Sequence, residues 1–316
     1  MSADTPGGPA GFEEPVALPA EDEGLARQWL AQRHRQVRPA RPASAVVLVR
    51  DGRDGVEVLL RHRAGRTPLG RVGFPGGSLL ESDADPCPWF GPEPAVWSRR
   101  LGIADRRRVR QRVVAAVREL FEESGVLLAG HTPDEIAEDA RGESWGAHRS
   151  SLETGDVGLP EVLRERGLGL RTDLLRPVGR WHSTPHSPRR FDTVVFAAAL
   201  PPQQRAAGRP DALTHQAWCP VRALLSGPVA LPGPEGWLGE EGVAELAAVT
   251  VPLTQIVLRR VAGHRTAAGF LLSLGGGGTV VPEYRLRTAA EPASREIPDG
   301  RLWAVPELVG ESQRER

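Results

Sequence analysis

Residues 118–126 read Arg118-Glu119-Leu120-Phe121-Glu122-Glu123-Ser124-Gly125-Val126. Residues three and four apart share one face of an α-helix, so Glu119, Glu122 and Glu123 project together within a single turn. At about 100° per residue the apolar side chains fall on the opposite face, which predicts an amphipathic helix anchored by Val113, Val117, Leu120 and Phe121. Carboxylates this close repel one another unless a cation lies among them, and oxygen ligands select a hard cation such as Mg²⁺ or Mn²⁺. The run is therefore either a metal-binding face or an ordinary solvated acidic face.

Two nearby features favour the metal site. Gly125 follows the last carboxylates and can end the helix in the left-handed conformation. Upstream stands the turn Gly73-Phe74-Pro75-Gly76-Gly77. A Pro-Gly-Gly turn lets the backbone approach a ligand closely, because glycine carries no Cβ. We expect this turn to contribute to the same site as the helix.

Together these motifs resemble the Nudix box, Gly-x5-Glu-x7-Arg-Glu-U-x-Glu-Glu-x-Gly-U with U apolar. The box is the signature of Mg²⁺-dependent hydrolases that cut nucleoside diphosphates linked to another moiety. Every fixed position from Arg118 to Val126 matches. Counted from Gly77, Asp83 stands where the family has Glu, and 34 residues rather than seven separate Asp83 from Arg118, an insertion of 27. The departure affects the structural end of the box and leaves the half that bears the metal ligands intact.

The insertion is similar to that of one Nudix branch, the peroxisomal acyl-CoA diphosphatases of animals. That branch also has an Asp at the position of Asp83 and a Phe-Pro-Gly-Gly turn. Two further stretches carry the resemblance, Trp181-His182-Ser183-Thr184-Pro185 and Arg189-Arg190-Phe191-Asp192-Thr193. The resemblance covers about residues 42–225.

The resemblance implies a diphosphatase that uses Mg²⁺ or Mn²⁺ and cleaves CoA or acyl-CoA to 3′,5′-ADP and 4′-phosphopantetheine. Glu119, Glu122 and Glu123 would hold the metal, with a backbone carbonyl of Gly77 or its neighbour Gly76. Arg118 would orient the glutamates by pairing with Glu122. The alternatives are a Nudix hydrolase of NADH, ADP-ribose or a nucleoside triphosphate, and a non-catalytic ligand sensor. The intact set of three glutamates argues against the sensor.

Each of the other candidate site residues has two possible roles. The general base is a helix glutamate or a loop residue, with Glu240 and Glu241 as candidates. Arg189 and Arg190 contact substrate phosphate or pair structurally with Asp192. Two histidines of the Trp181–Asp192 segment, His182 and His186, are either catalytic or ordinary surface residues. A basic cluster either attracts a polyanionic substrate or forms a solvated helix start: Arg106, Arg107, Arg108, Arg110 and Arg112.

Composition excludes several classes of chemistry. All 40 basic residues are Arg, which removes Schiff-base catalysis and a P-loop lysine and leaves phosphate recognition to Arg, backbone N–H groups and metal. The two cysteines are too few for a disulfide framework or a zinc cluster.

A formal net charge of zero gives no reason to expect nucleic acid or membrane as a partner. With neither a signal peptide nor a peroxisomal C-terminus, we expect a cytoplasmic protein. Whether it forms a homodimer is left open.

The pattern predicts an α/β fold, a helix–mixed sheet–helix sandwich of the Nudix type. Its parts would be a flexible N-terminal extension with one helix (1–41), the hydrolase domain (42–262, insertion about 84–105) and a C-terminal extension (263–316). Predicted strands cover 45–49, 56–60, 174–181, 191–200 and 215–219, with a turn at Asp51-Gly52. Predicted helices cover 24–35, about 105–128, 160–166 and 253–261.

Overall fold

The computed structural model describes residues 15–18, 20–62, 71–138, 142–208, 215–227, 229–230, 243–244, 246–274, 281–289 and 303–309. The strands are β1 (Val16–Ala17), β2 (Ala40–Gly52), β3 (Gly55–His62), β4 (Val72–Gly73), β5 (Gly76–Ser78), β6 (Trp89–Phe90), β7 (Ala129–Gly130), β8 (Gly169–Arg171), β9 (Arg176–His182), β10 (Arg190–Ala199), β11 (His215–Pro220), β12 (Val229–Ala230), β13 (Val243–Ala244), β14 (Glu283–Ala289) and β15 (Trp303–Leu308). The helices are α1 (Ala20–Ala31), α2 (Pro94–Leu101), α3 (Arg106–Ser124), α4 (Glu143–Thr154), α5 (Leu159–Glu165), α6 (Val221–Leu225), α7 (Leu246–Val249), α8 (Pro252–Ala262) and α9 (Ala267–Ser273).

One large sheet organises these elements, in the order β1-β15-β14-β9-β10-β2-β3-β11. The β10–β2 and β14–β9 pairs are parallel and the other pairs along this path are antiparallel. The sheet is therefore mixed. None of the helices within the described ranges is long and apolar enough to cross a bilayer.

Helices cover both faces of the sheet. Alternate residues of β2 point to opposite sides, so Val47 and Val49 join a core with α8 and α9, while Val46 and Leu48 join a core with α2, α3 and α5. The expected helix–mixed sheet–helix sandwich is confirmed. The strand β10 is buried on both faces, as its continuous apolar run predicts.

The glycine-rich turn fits between two strands that separate. Beyond their hairpin, β2 and β3 diverge, and β5 pairs with β2 while β4 pairs with β3. The N–H of Val46 donates to the carbonyl of Pro75 at 2.9 Å, which closes the turn onto β2. This arrangement brings Gly76 and Gly77 beside α3.

The helix α3 has clear signals at both ends. The Asp105 side chain accepts from the N–H groups of Arg107 (2.8 Å) and Arg108 (3.2 Å), an N-cap that satisfies two terminal donors. At the other end Gly125 has φ of +74°, so the helix stops at Ser124. The predicted end near Leu128 is therefore wrong.

Other boundaries also differ from the prediction. Because β2 continues to Gly52, the β2–β3 turn is Arg53-Asp54 rather than Asp51-Gly52. The predicted N-terminal helix begins earlier, at Ala20. The sequence predicted one helix in 131–170, where the structure has α4 and α5, and it predicted neither β14 nor β15. The glycine run Gly275–Gly278 lies outside the described residues.

Candidate active site

Arg118 lies at the centre of the candidate site and is almost fully buried. Its Nε and Nη2 donate to the two oxygens of Asp83 at 2.9 and 3.1 Å, and Nη2 also donates to the Ser78 carbonyl at 2.9 Å. Its Nη1 donates to Glu119 Oε1 (3.0 Å) and Glu122 Oε1 (3.1 Å). The predicted pairing of Arg118 with Glu122 is confirmed. Despite the insertion, Asp83 binds Arg118 through both carboxylate oxygens and fixes the position of its guanidinium.

Glu123 is held by different partners. Its Oε2 accepts from the backbone N–H of Gly76 at 3.0 Å. Its Oε1 forms an ion pair with Arg61 of β3, a residue that is only 9 % exposed. Sequence reasoning missed Arg61, although a signal exists: two residues after Leu59, it alternates onto the face that α3 covers.

Gly77 allows the closest approach in the site. A Cβ built on Gly77 would overlap the carboxylate of Glu119, whose Cδ would lie 2.6 Å away. A distance under 3 Å is not tolerated by real Cβ atoms, so any larger residue would push the carboxylate aside. The turn and the helix face therefore meet, as the Pro-Gly-Gly motif indicated.

The electrostatics of the cluster are strained. Burial raises the pKa of Glu119 to about 8; the charge of Arg118 opposes this rise, and the charges of Glu123 and Glu122 add to it. Burial also raises the pKa of Glu122. Burial alone would lower the pKa of Arg118, but the bond with Asp83 and the surrounding carboxylates together raise it. Arg118 therefore does not fully offset the cost of ionising Glu119 and Glu122 in this buried cluster.

The donor set fits a hard divalent cation. Four carboxylates, those of Asp83 and the three helix glutamates, face the guanidinium groups of Arg118 and Arg61. When all four are ionised, the carboxylates have an excess of two negative charges over the two arginines, which one divalent cation would neutralise, and all the donors are oxygens. Within the described ranges, no three His, Cys, Asp or Glu side chains already converge on a single point. The two arginines hold the glutamates instead, so a cation would have to compete with them.

A second ion network lies beside this cluster. Arg112 of α3 donates to Asp192 Oδ2 at 2.5 Å, and Arg180 donates to both Asp192 oxygens at 2.6 and 2.8 Å. Arg180 also pairs with Glu283, which contacts His182 Nε2 at 2.7 Å. Arg112 therefore connects α3 to β10 and is not part of a solvated helix start.

The interpretation that Arg189 or Arg190 pairs with Asp192 is wrong, since the partners of Asp192 are Arg112 and Arg180. Arg190 donates to the carbonyls of Arg38 (2.5 Å) and Ser183 (3.3 Å). Arg189 is exposed. Their contact with phosphate stays a prediction.

The remaining candidate residues have different environments. His186 is buried rather than on the surface, and its burial lowers its pKa to about 4. Arg107 pairs with Glu81 at 2.7 Å on the exposed start of α3. The candidate bases Glu240 and Glu241 lie outside the described residues.

Comparison with known proteins finds a similar fold among solved structures. No protein-family model matches the chain, and no curated protein matches it. A Nudix hydrolase from Alicyclobacillus acidocaldarius has a similar structure, with 26 % sequence identity, a TM-score of 0.52 and coverage of 75 % of this chain and 99 % of that one.

Two other solved structures are more distant. The Nudix domain of NrtR from Shewanella oneidensis, solved with ADP-ribose, has 16 % identity, a TM-score of 0.32 and coverage of 64 % and 88 % of the two chains. A MutT/nudix family protein from Enterococcus faecalis has 15 % identity, a TM-score of 0.29 and coverage of 64 % and 56 %. Of these three structures, the Alicyclobacillus hydrolase is the one whose fold is similar enough to be compared with the fold of this chain.

Proposed function

We propose that the chain is a hydrolase of the Nudix type, acting on phosphorus-containing anhydrides, and that it cleaves the diphosphate bridge of CoA or acyl-CoA with the help of Mg²⁺ or Mn²⁺. The products would be 3′,5′-ADP and a 4′-phosphopantetheine compound. One observation carries the proposal: Arg118 binds Glu119 and Glu122, the Gly76 N–H binds Glu123, and Gly77 lies against Glu119, so the three carboxylates lie beside one glycine turn.

The residues of this cluster have separable tasks. Arg118, anchored by Asp83, fixes Glu119 and Glu122 through one nitrogen. The N–H of Gly76 orients Glu123. The three glutamates would hold the cation, with the Gly77 backbone beside them. When bound there, the cation would neutralise diphosphate oxygens and lower the pKa of a nucleophilic water.

The substrate preference rests on three features of the chain. The first is the insertion, whose resemblance to the acyl-CoA diphosphatase branch extends to Asp83. The second is that Asp83 makes a buried pair with Arg118 despite the insertion. The third is the stretch Arg189–Thr193. The arginine side chains of that stretch would bind the 3′-phosphate of such a substrate.

A panel of diphosphate compounds tests the proposal. Purified protein with Mg²⁺ or Mn²⁺ is given CoA, dephospho-CoA, NADH, ADP-ribose and dATP, and kcat/KM is measured from the phosphorylated products. We expect the highest kcat/KM for CoA. Equal or better turnover of ADP-ribose would contradict the CoA assignment while leaving the diphosphatase assignment in place.

Charge removal at the helix face tests the diphosphatase assignment itself. Glu122→Gln and Glu123→Gln keep the side-chain shape but remove a ligand charge, and each should lower kcat by at least about a hundredfold, on the order of 3 kcal/mol of barrier. Near-normal turnover by both variants would show that the acidic face is not the active site.

A further inference from the structure

We propose that Arg61 is a diphosphate-binding residue, which pairs with Glu123 until a divalent cation takes that carboxylate. The inference rests on the proposed function, because it assigns a substrate contact in the same site. It also explains why a buried arginine faces a carboxylate that the reaction needs for another purpose.

The position of Arg61 is the first argument. Arg61 lies near the end of β3 with its guanidinium on Glu123 Oε1, while the N–H of Gly76 holds Oε2 at 3.0 Å. The backbone bond keeps the carboxylate in place whichever cation sits on the other oxygen. A divalent cation on Glu123 would repel the guanidinium. The long side chain of Arg61 would then turn, remaining beside the cation and therefore beside the diphosphate.

Arg118, Arg112 and Arg180 each have bonds to partners that are not proposed cation ligands. Arg118 is fixed by a bidentate bond to Asp83 and by the Ser78 carbonyl, so it stays with the helix when the glutamates change partner. Arg112 and Arg180 are both bonded to Asp192. Their pairs do not involve the proposed cation ligands, so a cation gives no reason for them to move.

Charge balance is the second argument. One divalent cation cancels the excess negative charge of the carboxylate cluster. A bound diphosphate then adds new negative charge, and the chain contains no lysine to meet it. A guanidinium released from Glu123 offers two parallel N–H donors, the geometry that matches phosphate oxygens. Arg61 is thus in position to exchange one anion for another.

The exchange predicts opposite effects on two ligands. Removing the guanidinium takes away the competitor for Glu123, so a cation should bind more tightly. The same change removes a phosphate contact, so a diphosphate should bind more weakly. A purely structural role, in which Arg61 only holds Glu123 in position, would weaken the binding of both.

Two titrations without turnover measure these effects. Mn²⁺ binding is followed by electron paramagnetic resonance in the absence of nucleotide. Binding of α,β-methylene-ADP, whose bridge cannot be hydrolysed, is followed by calorimetry at saturating Mn²⁺. For Arg61→Gln we expect the Kd for Mn²⁺ to fall about fivefold to tenfold and the Kd for α,β-methylene-ADP to rise at least about tenfold.

Two further variants separate charge, shape and folding. Arg61→Lys keeps the charge but not the fork, so its Kd for Mn²⁺ should stay within about twofold of wild type while diphosphate binding still weakens. Arg171→Gln removes another buried arginine, one that pairs with Asp173 at 2.8 Å, and should change neither Kd. Thermal melts of all variants report whether each is folded.

The proposal is overturned if Arg61→Gln binds both ligands more weakly, if neither Kd changes, or if the wild-type protein does not bind α,β-methylene-ADP. Opposite shifts of the two constants support it. Because neither titration requires catalysis, a wild-type protein that cleaves no compound of the substrate panel would contradict the proposed function without altering the result for Arg61.

Discussion

At the scale of single residues, Gly77 shows how a missing side chain can position a carboxylate. Glu119 occupies the space that a Cβ would take. Gly77→Ala should therefore displace the end of a flexible side chain at little cost to folding, but it should weaken cation binding and lower kcat by about tenfold or more, over 1.4 kcal/mol. Mn²⁺ titration and steady-state kinetics would measure the two effects.

Gly146→Ala provides the matched control for Gly77. Gly146 lies on the exposed side of α4, and a Cβ there would meet nothing within 4 Å. The control should keep full activity and gain stability, because alanine favours a helix over glycine by about 1 kcal/mol. If Gly77→Ala behaved like this control, the contact with Glu119 would have no role in the site.

His186 gives a pH dependence at the same scale. Its folded-state pKa of about 4 lies below the ordinary value of about 6.5 because burial disfavours the charged ring. The stability that the neutral ring contributes is complete above about pH 6.5 and is lost as the pH falls towards 4, since only the unfolded chain takes up the proton. At pH 4.5 the loss should be about 2 to 3 kcal/mol.

Urea unfolding at pH 7 and pH 4.5 would measure this contribution. The difference between the two pH values should be smaller in His186→Gln than in wild type by about that amount, since glutamine does not titrate. Equal pH dependence of the two proteins would show that His186 is protonated as readily in the folded state as in the unfolded one.

At the scale of elements, the short 3₁₀ helix Glu81–Ala84 fixes α3 through two ion pairs. Asp83 and Glu81 of this element both pair with an arginine of α3, one pair buried and the other exposed. Asp83→Ala would leave Arg118 without its bidentate partner and should cost about 3 to 5 kcal/mol. Glu81→Ala removes an exposed pair, which contributes little. Chemical denaturation of both variants would measure the difference, and similar losses would contradict this role for Asp83.

The same scale shows why sequence reasoning found some elements and missed others. The helix α3 was predictable because its capping, apolar spacing and terminal glycine are all local. The helix α4 begins at Gly142 without a side-chain cap, so its start had no signal. The strand β14 was missed because it is defined by pairing with β9, far away in the chain. Alternation along β3 places Arg61 on the face that α3 covers, but its pairing with Glu123 joins two elements and has no local signal.

At the scale of the whole molecule, the site joins parts that are distant in the chain. The strands β3 and β5, the 3₁₀ helix and α3 each contribute at least one residue to the carboxylate cluster. The strands β1, β14 and β15, from the two ends of the described chain, complete the sheet behind it. A cation bound at the cluster would therefore connect several elements at once, and its binding energy should stabilise the entire fold.

Thermal unfolding with and without Mn²⁺ tests most directly the central claim that Glu119, Glu122 and Glu123 hold a divalent cation. A cation that binds only the folded state adds roughly 1.4 kcal/mol of stability for each tenfold excess over its Kd. Millimolar Mn²⁺ should raise the Tm by a few degrees, whereas Na⁺ at matched ionic strength should not. The Glu122→Gln, Glu123→Gln double variant should lose most of this shift. The matched control, Glu161→Gln with Glu165→Gln on the exposed face of α5, should retain it. A shift that persists unchanged in the double variant, or that is absent from the wild-type protein, would contradict the metal site and the mechanism built on it.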